Sequence, residues 1–290
     1  MPKKLSEYSF QDFLHLRPLT HSLKTRRYKR MDGEYLGLPI GEAETQAARA
    51  AVRGRNVLIT VAFEDPQAIE MQIALVRRYV THDCHLIVDN SRTEQASQPI
   101  REAAVVAGVR YLKLPNNPWT KRNESRSHGL AMNWIWRNIL KPGRPKGFGF
   151  IDHDLFPTMS VDPFAPLANH AFYGDLRWAG ERWFLWAGYC FFDFEAVQDK
   201  PLDFGLDWFI GLDTGGANWP VLYHDLDPRT LPHRPIEPIE ALPGVPLDEA
   251  KFERRNEWIH EVGWGTFPQH RKPKREALTA LLRPYLTDGA

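Results

Sequence analysis

The chain has 290 residues, 43% of them hydrophobic, which is enough for one large α/β domain with a sizeable core. Its 37 lysines and arginines nearly match 36 aspartates and glutamates, and the net charge of +1 excludes a global electrostatic pull toward nucleic acid. Two cysteines, Cys84 and Cys190, exclude a disulfide framework and a thiolate metal centre, and they fit a reducing, cytoplasmic setting.

Residues 1–54 are weakly periodic and read as an extension packed on a single catalytic domain spanning 55–290. Basic residues near the start precede no apolar run of signal-peptide length. The basic stretches KTRRYKR (24–30) and HRKPKR (270–275) read as solvated loops. NVLITVAF (56–63) is a continuous β-branched run and predicts a buried strand. Glu64, Asp65 and Pro66 then supply helix-start chemistry, and Ile69, Ile73, Val76 and Val80 recur at helical spacing.

HLIVDNS (85–91) predicts a second strand, IREAAVVAG (100–108) a helix and VRYLKLP (109–115) a third strand. Glu124–Leu140 reads as a long helix, and GFGFID (147–152) as a fourth strand. Strand and helix thus alternate through 56–154, which argues for βαβ units around a mostly parallel sheet. Ligands of such sheets bind outside the carboxyl ends of the strands. Polar residues stand at those ends here: Glu64 and Asp65, Asp89 and Asn90, Asp152 and Asp154.

Past Pro157 the alternation is lost, and 55–157 and 158–290 read as a nucleotide-binding and an acceptor half. Mixed strands and loops are expected over 158–220, with a short helix near 214–224. The proline-rich stretch 226–250 reads as a lid-like loop, 258–267 as a returning strand and turn, and 275–286 as a closing helix. WFLWAGYCFF (183–192) is too short to cross a bilayer, so no transmembrane segment is expected. No GxGxxG or P-loop pattern is present.

The stretch GFGFIDHDLFP (147–157) concentrates negative charge where a buried strand ends. Carboxylates held that close repel one another unless a cation sits with them. Their oxygens suit hard divalent ions such as Mg²⁺ or Mn²⁺, which keep open positions for phosphate oxygens. Asp152-x-Asp154 is therefore a candidate grip on a metal diphosphate, and a solvated acidic loop is the alternative reading.

Residues 56–157 resemble the nucleotide-binding half of GT-A glycosyltransferases, closest to glycosyltransferase family 2. The resemblance rests on ITVAFED, LIVDNS, LPNNPW before a long helix, and FIDHDLFP. It implies a Rossmann-type α/β/α sandwich whose Asp152 and Asp154 hold Mn²⁺ or Mg²⁺ on the diphosphate of a UDP- or GDP-linked sugar, with His153 as spacer in the donor site. It also implies that Asp89, with Asn90, touches the donor's base or ribose, and that the turn carrying Glu64 and Asp65 lines the nucleoside pocket. Turn formation by Asp89 with Asn90 and Ser91 is an equal alternative on the residues alone. Where the family often has an arginine–asparagine pair, this chain has Ser127-His128.

The same resemblance places His260 of WIHEVGWG as a third metal ligand, ahead of His224 and His233. It places Asp213 of LDTGGANW as catalytic base of an inverting transfer, with Asp207 in reserve. The family's acidic pair is replaced by Leu212-Asp213. Trp178, Trp183 and Trp186 are candidates to line a platform for a carbohydrate acceptor. A metal-dependent phosphohydrolase or nucleotidyltransferase, and a non-catalytic carbohydrate-binding protein on the same fold, are the rival readings.

Overall fold

The computed structural model describes residues 5–207, 211–232, 235–263 and 267–287. Residues 5–54 are mainly helical: α1 (Phe10–Leu14), α2 (Arg17–Leu36) and α3 (Glu42–Val52) follow a short 3₁₀ turn. Ser9 and Asp12 cap α1 reciprocally, each side chain accepting the other's backbone N–H. Their weak periodicity has a simple cause. In the 20-residue α2 only Tyr35 is fully buried, so no apolar stripe marks the helix. Tyr35, Ala48 and Val52 nevertheless belong to the main hydrophobic core.

The β-branched run forms β1 (Asn56–Ala62), and Asp65 caps α4 (Pro66–Tyr79) by accepting the Ala68 N–H. Next come β2 (Cys84–Asp89), α5 (Glu94–Val106) and β3 (Arg110–Lys113). The helix expected from residue 100 begins six residues earlier, because Thr93 caps it and Pro99 is accommodated within its second turn. The long helix α6 (Glu124–Ile135) runs through a π-helical turn (Trp136–Leu140) into α7 (Lys141–Gly143), and then β4 (Gly147–Asp152) enters the sheet.

β5 (Leu155–Pro157) leaves that sheet, and β6 (Phe172–Ala179), β7 (Arg182–Asp193) and α8 (Phe194–Val197) follow. The main sheet has six strands in the order β3-β2-β1-β4-β7-β6. Its β3-β2-β1-β4 portion is parallel, whereas β7 runs antiparallel to both β4 and β6. On one face α4 and α5 bury Ile69, Ile73, Ile100 and Ala104 with Ile87. On the other, Trp136 stacks on Phe148 at 5.4 Å, and Leu130, Trp134 and Ile139 of the α6 segment join the main core. This is a mostly parallel α/β fold with helices on both faces.

The stretch expected to be a lid contains β8 (Glu237–Glu240), which pairs with β9 (Lys251–Arg255). With β10 (Trp258–His260) and β5 they make a second, antiparallel sheet in the order β5-β10-β9-β8. That sheet packs on α4 and on α9 (Arg271–Leu286) through Phe156, Phe252, Ile259, Leu278 and Leu282. The two basic stretches are helical rather than looped, and Lys274 and Arg275 of the second are buried. The short helix expected near 214–224 appears as a 3₁₀ turn (Gly216–Asn218) and a π turn (Trp219–Tyr223). Among the described residues no helix is long and apolar enough to cross a membrane.

Candidate metal and active site

β4 belongs to the large sheet and β5 to the small one, so the Asp152–Leu155 link is where the two sheets meet. Strand order reverses between β1 and β4, and the carboxyl ends of these strands open beside that link. β10 pairs antiparallel with β5, with His260 opposite Leu155, and the Glu261 N–H bonds the Asp154 carbonyl at 2.9 Å. This register brings Asp152, Asp154 and His260 together, with one donor atom of each lying within 4.8 Å of the others. The His260 Nε2 is 3.5 Å from Asp154 Oδ1. The side chains are 22%, 15% and 9% exposed, so each is largely buried without being fully closed off.

Burial opposes ionisation throughout this cluster. It pushes the Asp152 carboxyl above the ordinary range, against the pull of His128. Asp154 is also buried, but the His260 charge outweighs that effect and takes it down to about 2. Burial disfavours the His260 imidazolium, yet Asp154 and Glu253 together raise its pKa to about 9. Two carboxylates and an imidazole are donors that Mn²⁺ or Mg²⁺ accepts. The second nitrogen, His260 Nδ1, is buried, makes no hydrogen bond and stands 3.6 Å from Glu253 Oε2. A carboxylate behind the non-ligating nitrogen is the arrangement that orients a metal-binding histidine. The residues present fit a divalent cation.

Three supporting residues carried no signal in the sequence. Gln72 of α4 is fully buried and donates to the carbonyls of Asp152 (2.6 Å) and Leu155 (2.7 Å), clamping the acidic turn. It accepts from Thr60 Oγ1 at 2.7 Å, and Thr60 in turn contacts His85, whose pKa burial lowers to about 3. His128, on α6, puts Nδ1 3.6 Å from Asp152 Oδ1. Glu253 lies behind His260 and also pairs with the buried Arg255, which binds Asp175 at 2.6 Å. Among the described residues no lysine or arginine lies within ion-pair distance of Asp152 or Asp154.

The other strand-end residues make hydrogen bonds and ion pairs within the protein. Asp65 is 6% exposed, caps α4 and takes both Nη atoms of Arg275, at 2.9 and 2.7 Å. Glu64 pairs with Arg92. Asp89 is fully buried, accepting from the Ser91 N–H at 2.8 Å and the Tyr111 hydroxyl at 2.7 Å. Asn90 is held in a buried network with Ser127 and Asn117. Asp65, Asp89 and Asn90 thus have their polar groups hydrogen-bonded within the protein, whereas Glu64 stays partly exposed beside Arg92 at the turn that follows β1. His153 turns its Nδ1 toward the Val61 carbonyl at 3.3 Å.

Asp213 is exposed, and its Oδ1 accepts the Thr214 N–H at 2.8 Å. Thr214 Oγ1 donates to the Ser125 carbonyl at the start of α6, so this turn stands on the same helix as His128. Asp207 is buried, exchanging backbone hydrogen bonds with Leu212, and its side chain does not face solvent. His224 is exposed and pairs with Asp225, and His233 lies outside the described residues. Trp183 is core and Trp178 is on the surface. Trp186 belongs to the site: its ring centroid is 4.7 Å from that of His260.

No protein-family model matches the chain, and no curated protein is similar to it. It is similar to solved structures of glycosyltransferases. One is glucosyl-3-phosphoglycerate synthase from Mycobacterium tuberculosis in complex with Mn²⁺, UDP and glucosyl-3-phosphoglycerate, at 20% identity over 48% of either chain and a TM-score of 0.29. Another is the bifunctional glycosyltransferase WbbM, at 12% identity over 56% of this chain and 33% of that one, with a TM-score of 0.33. A third is core-mannan synthase A from Aspergillus fumigatus in its Mn/GDP form, at 9% identity over 51% and 63%, with a TM-score of 0.30. The matched region thus spans about half the length of the synthase and a third of WbbM.

Proposed function

We propose that this chain is a metal-dependent glycosyltransferase of the GT-A type, moving a sugar from a nucleoside-diphosphate donor to a hydroxyl of a carbohydrate acceptor with inversion. The observation that carries the proposal is the convergence of Asp152, Asp154 and His260 at the carboxyl end of the sheet's switch point. Those three residues would hold Mn²⁺ or Mg²⁺, which when bound supplies Lewis-acid neutralisation of the departing diphosphate.

The protein's own contributions follow from the geometry. Gln72 fixes the turn bearing both aspartates, and Glu253 orients His260. Asp213, exposed beside the start of α6, takes the proton of the attacking hydroxyl as that oxygen bonds to the anomeric carbon. The anomeric carbon–oxygen bond breaks at the same time, and its electron pair leaves with the diphosphate. Trp186 gives the sugar an aromatic wall beside His260.

The test is a thermal-shift series with UDP, GDP and their sugar conjugates, with and without Mn²⁺. At a hundred times the dissociation constant, one such ligand should stabilise the fold by about 2.7 kcal/mol. Asp154→Ala should abolish the Mn²⁺-dependent part while leaving the ligand-free melting curve cooperative. A shift that survives the substitution overturns the metal assignment. Turnover of a plain phosphate ester without turnover of any nucleotide sugar overturns the transferase reading.

A further inference from the structure

Arg177 lies on β6, the edge strand separated from β1 by β4 and β7. Its guanidinium stands 5.3 Å from the centre of the Trp186 ring, and that ring is the one against His260. Arg255 occupies the same indole at 4.4 Å. The two arginines differ in one decisive respect. Arg255 is fully buried and is neutralised by Asp175 and Glu253. Arg177 is half-buried and, among the described residues, has neither a carboxylate within ion-pair distance nor a hydrogen bond to its guanidinium. Burial and the Arg255 charge lower its pKa, while Glu253, Asp175 and Asp152 raise it, which puts it within the field of the acidic cluster.

A planar fork of donors, stacked on an aromatic ring and left without an acceptor beside a reaction centre, is built to receive an oxyanion. The topology says which substrate brings it. A nucleoside over the carboxyl ends of β1 and β2 reaches the metal cluster from one side, whereas Arg177 stands on the other side of β4. We propose that Arg177, stacked on Trp186, recognises a phosphate or carboxylate carried by the acceptor. The inference rests on the donor reading above and deepens it: the acceptor is an anionic hydroxyl compound rather than a neutral sugar.

Arginine-selective labelling with phenylglyoxal, read peptide by peptide by mass spectrometry, tests this on the intact protein. With Mn²⁺ and the nucleoside diphosphate saturating, Arg177 should still be labelled. Glycerol 3-phosphate or glycerate should then slow its labelling, and glycerol should not; the two anions separate a phosphate from a carboxylate preference. Arg177→Gln should keep the Mn²⁺–nucleotide thermal shift and lower the affinity for the preferred anion, read from the concentration dependence of its own shift, about tenfold or more. Complete protection by Mn²⁺–nucleotide alone would make Arg177 a donor contact and overturn the proposal. Equal labelling with and without both anions would overturn it as well. The nucleotide thermal shift reports on the donor site by itself, so failure of that reading is seen separately.

Discussion

His260 and Asp154 face each other across the β5–β10 ladder, with Nε2 3.5 Å from Oδ1, in the one register that also buries Ile259 and Trp258. A slip of one residue would turn the imidazole to the opposite face of the small sheet and dismantle the cluster. The site's geometry is therefore enforced by the hydrophobic packing of the strand that carries the histidine.

The pH response follows from that pair. His260 has its pKa raised to about 9 from an ordinary 6.5. Below pH 6.5 folded and unfolded chains both hold the proton, and the ion pair's stabilisation is fully present. Between 6.5 and 9 the folded chain keeps a proton that the unfolded chain has released, and the stabilisation is lost progressively. Metal-free protein should lose up to about 3 kcal/mol between pH 6.5 and 9.5 from this group. Urea denaturation in EDTA, with His260→Gln as the pH-insensitive reference, measures it. Mn²⁺ binding must expel the same proton, so its affinity should rise with pH over this range, and calorimetry in buffers of different ionisation enthalpy should detect the release.

Gln72→Leu removes the donor shared by the buried carbonyls of Asp152 and Leu155. Leaving both without a partner should cost about 2–4 kcal/mol, measured by urea denaturation. Because the same amide fixes the acidic turn, Mn²⁺ affinity should fall about tenfold or more at temperatures where the variant is still folded. Unchanged metal affinity would separate the clamp from the site.

Gly188 on β7 leaves the space in which Trp186 and Asp152 meet. A Cβ there would overlap Trp186 Cζ2 and Asp152 Oδ2. Gly188→Ala should destabilise by about 1–3 kcal/mol and displace the Asp152 carboxylate. The diagnostic result is a melting transition that stays cooperative but no longer responds to Mn²⁺ with nucleotide.

Arg275 links the cap of α4 to the residue after His260, binding Asp65 and, at 2.6 Å, Glu261. Arg275→Met would leave two carboxylates buried without their cation, which should cost about 3–5 kcal/mol. The double variant in which Asp65 also becomes Asn should recover part of that loss, and a double-mutant cycle from denaturation curves gives the coupling.

Strands β1, β2 and β4 could be read from the sequence because strands covered on both faces leave uninterrupted apolar runs. Asp152 and Asp154 were legible as a pair because two residues of chain hold them together whatever the rest of the fold does. α2 was not legible, since a helix that buries a single side chain prints no period on its sequence. Pro99 masked the true start of α5 for a related reason: local propensity was overridden by a cap six residues upstream.

The strand-end carboxylates show where sequence stops. Asp65, Asp89 and Asp152 each follow a buried run and look equivalent in one dimension. Tertiary structure gives the first to Arg275, distant in the chain, and the second to Tyr111 and Ser91, and it leaves the third facing His128 and the Asp154–His260 pair. The sequence by itself determined that an acidic tip would stand at the end of a parallel strand. Which carboxylates stay available, and which imidazoles meet them, was decided by strand register and helix placement, because charge neutralisation acts over a few ångströms of space and takes no account of distance along the chain.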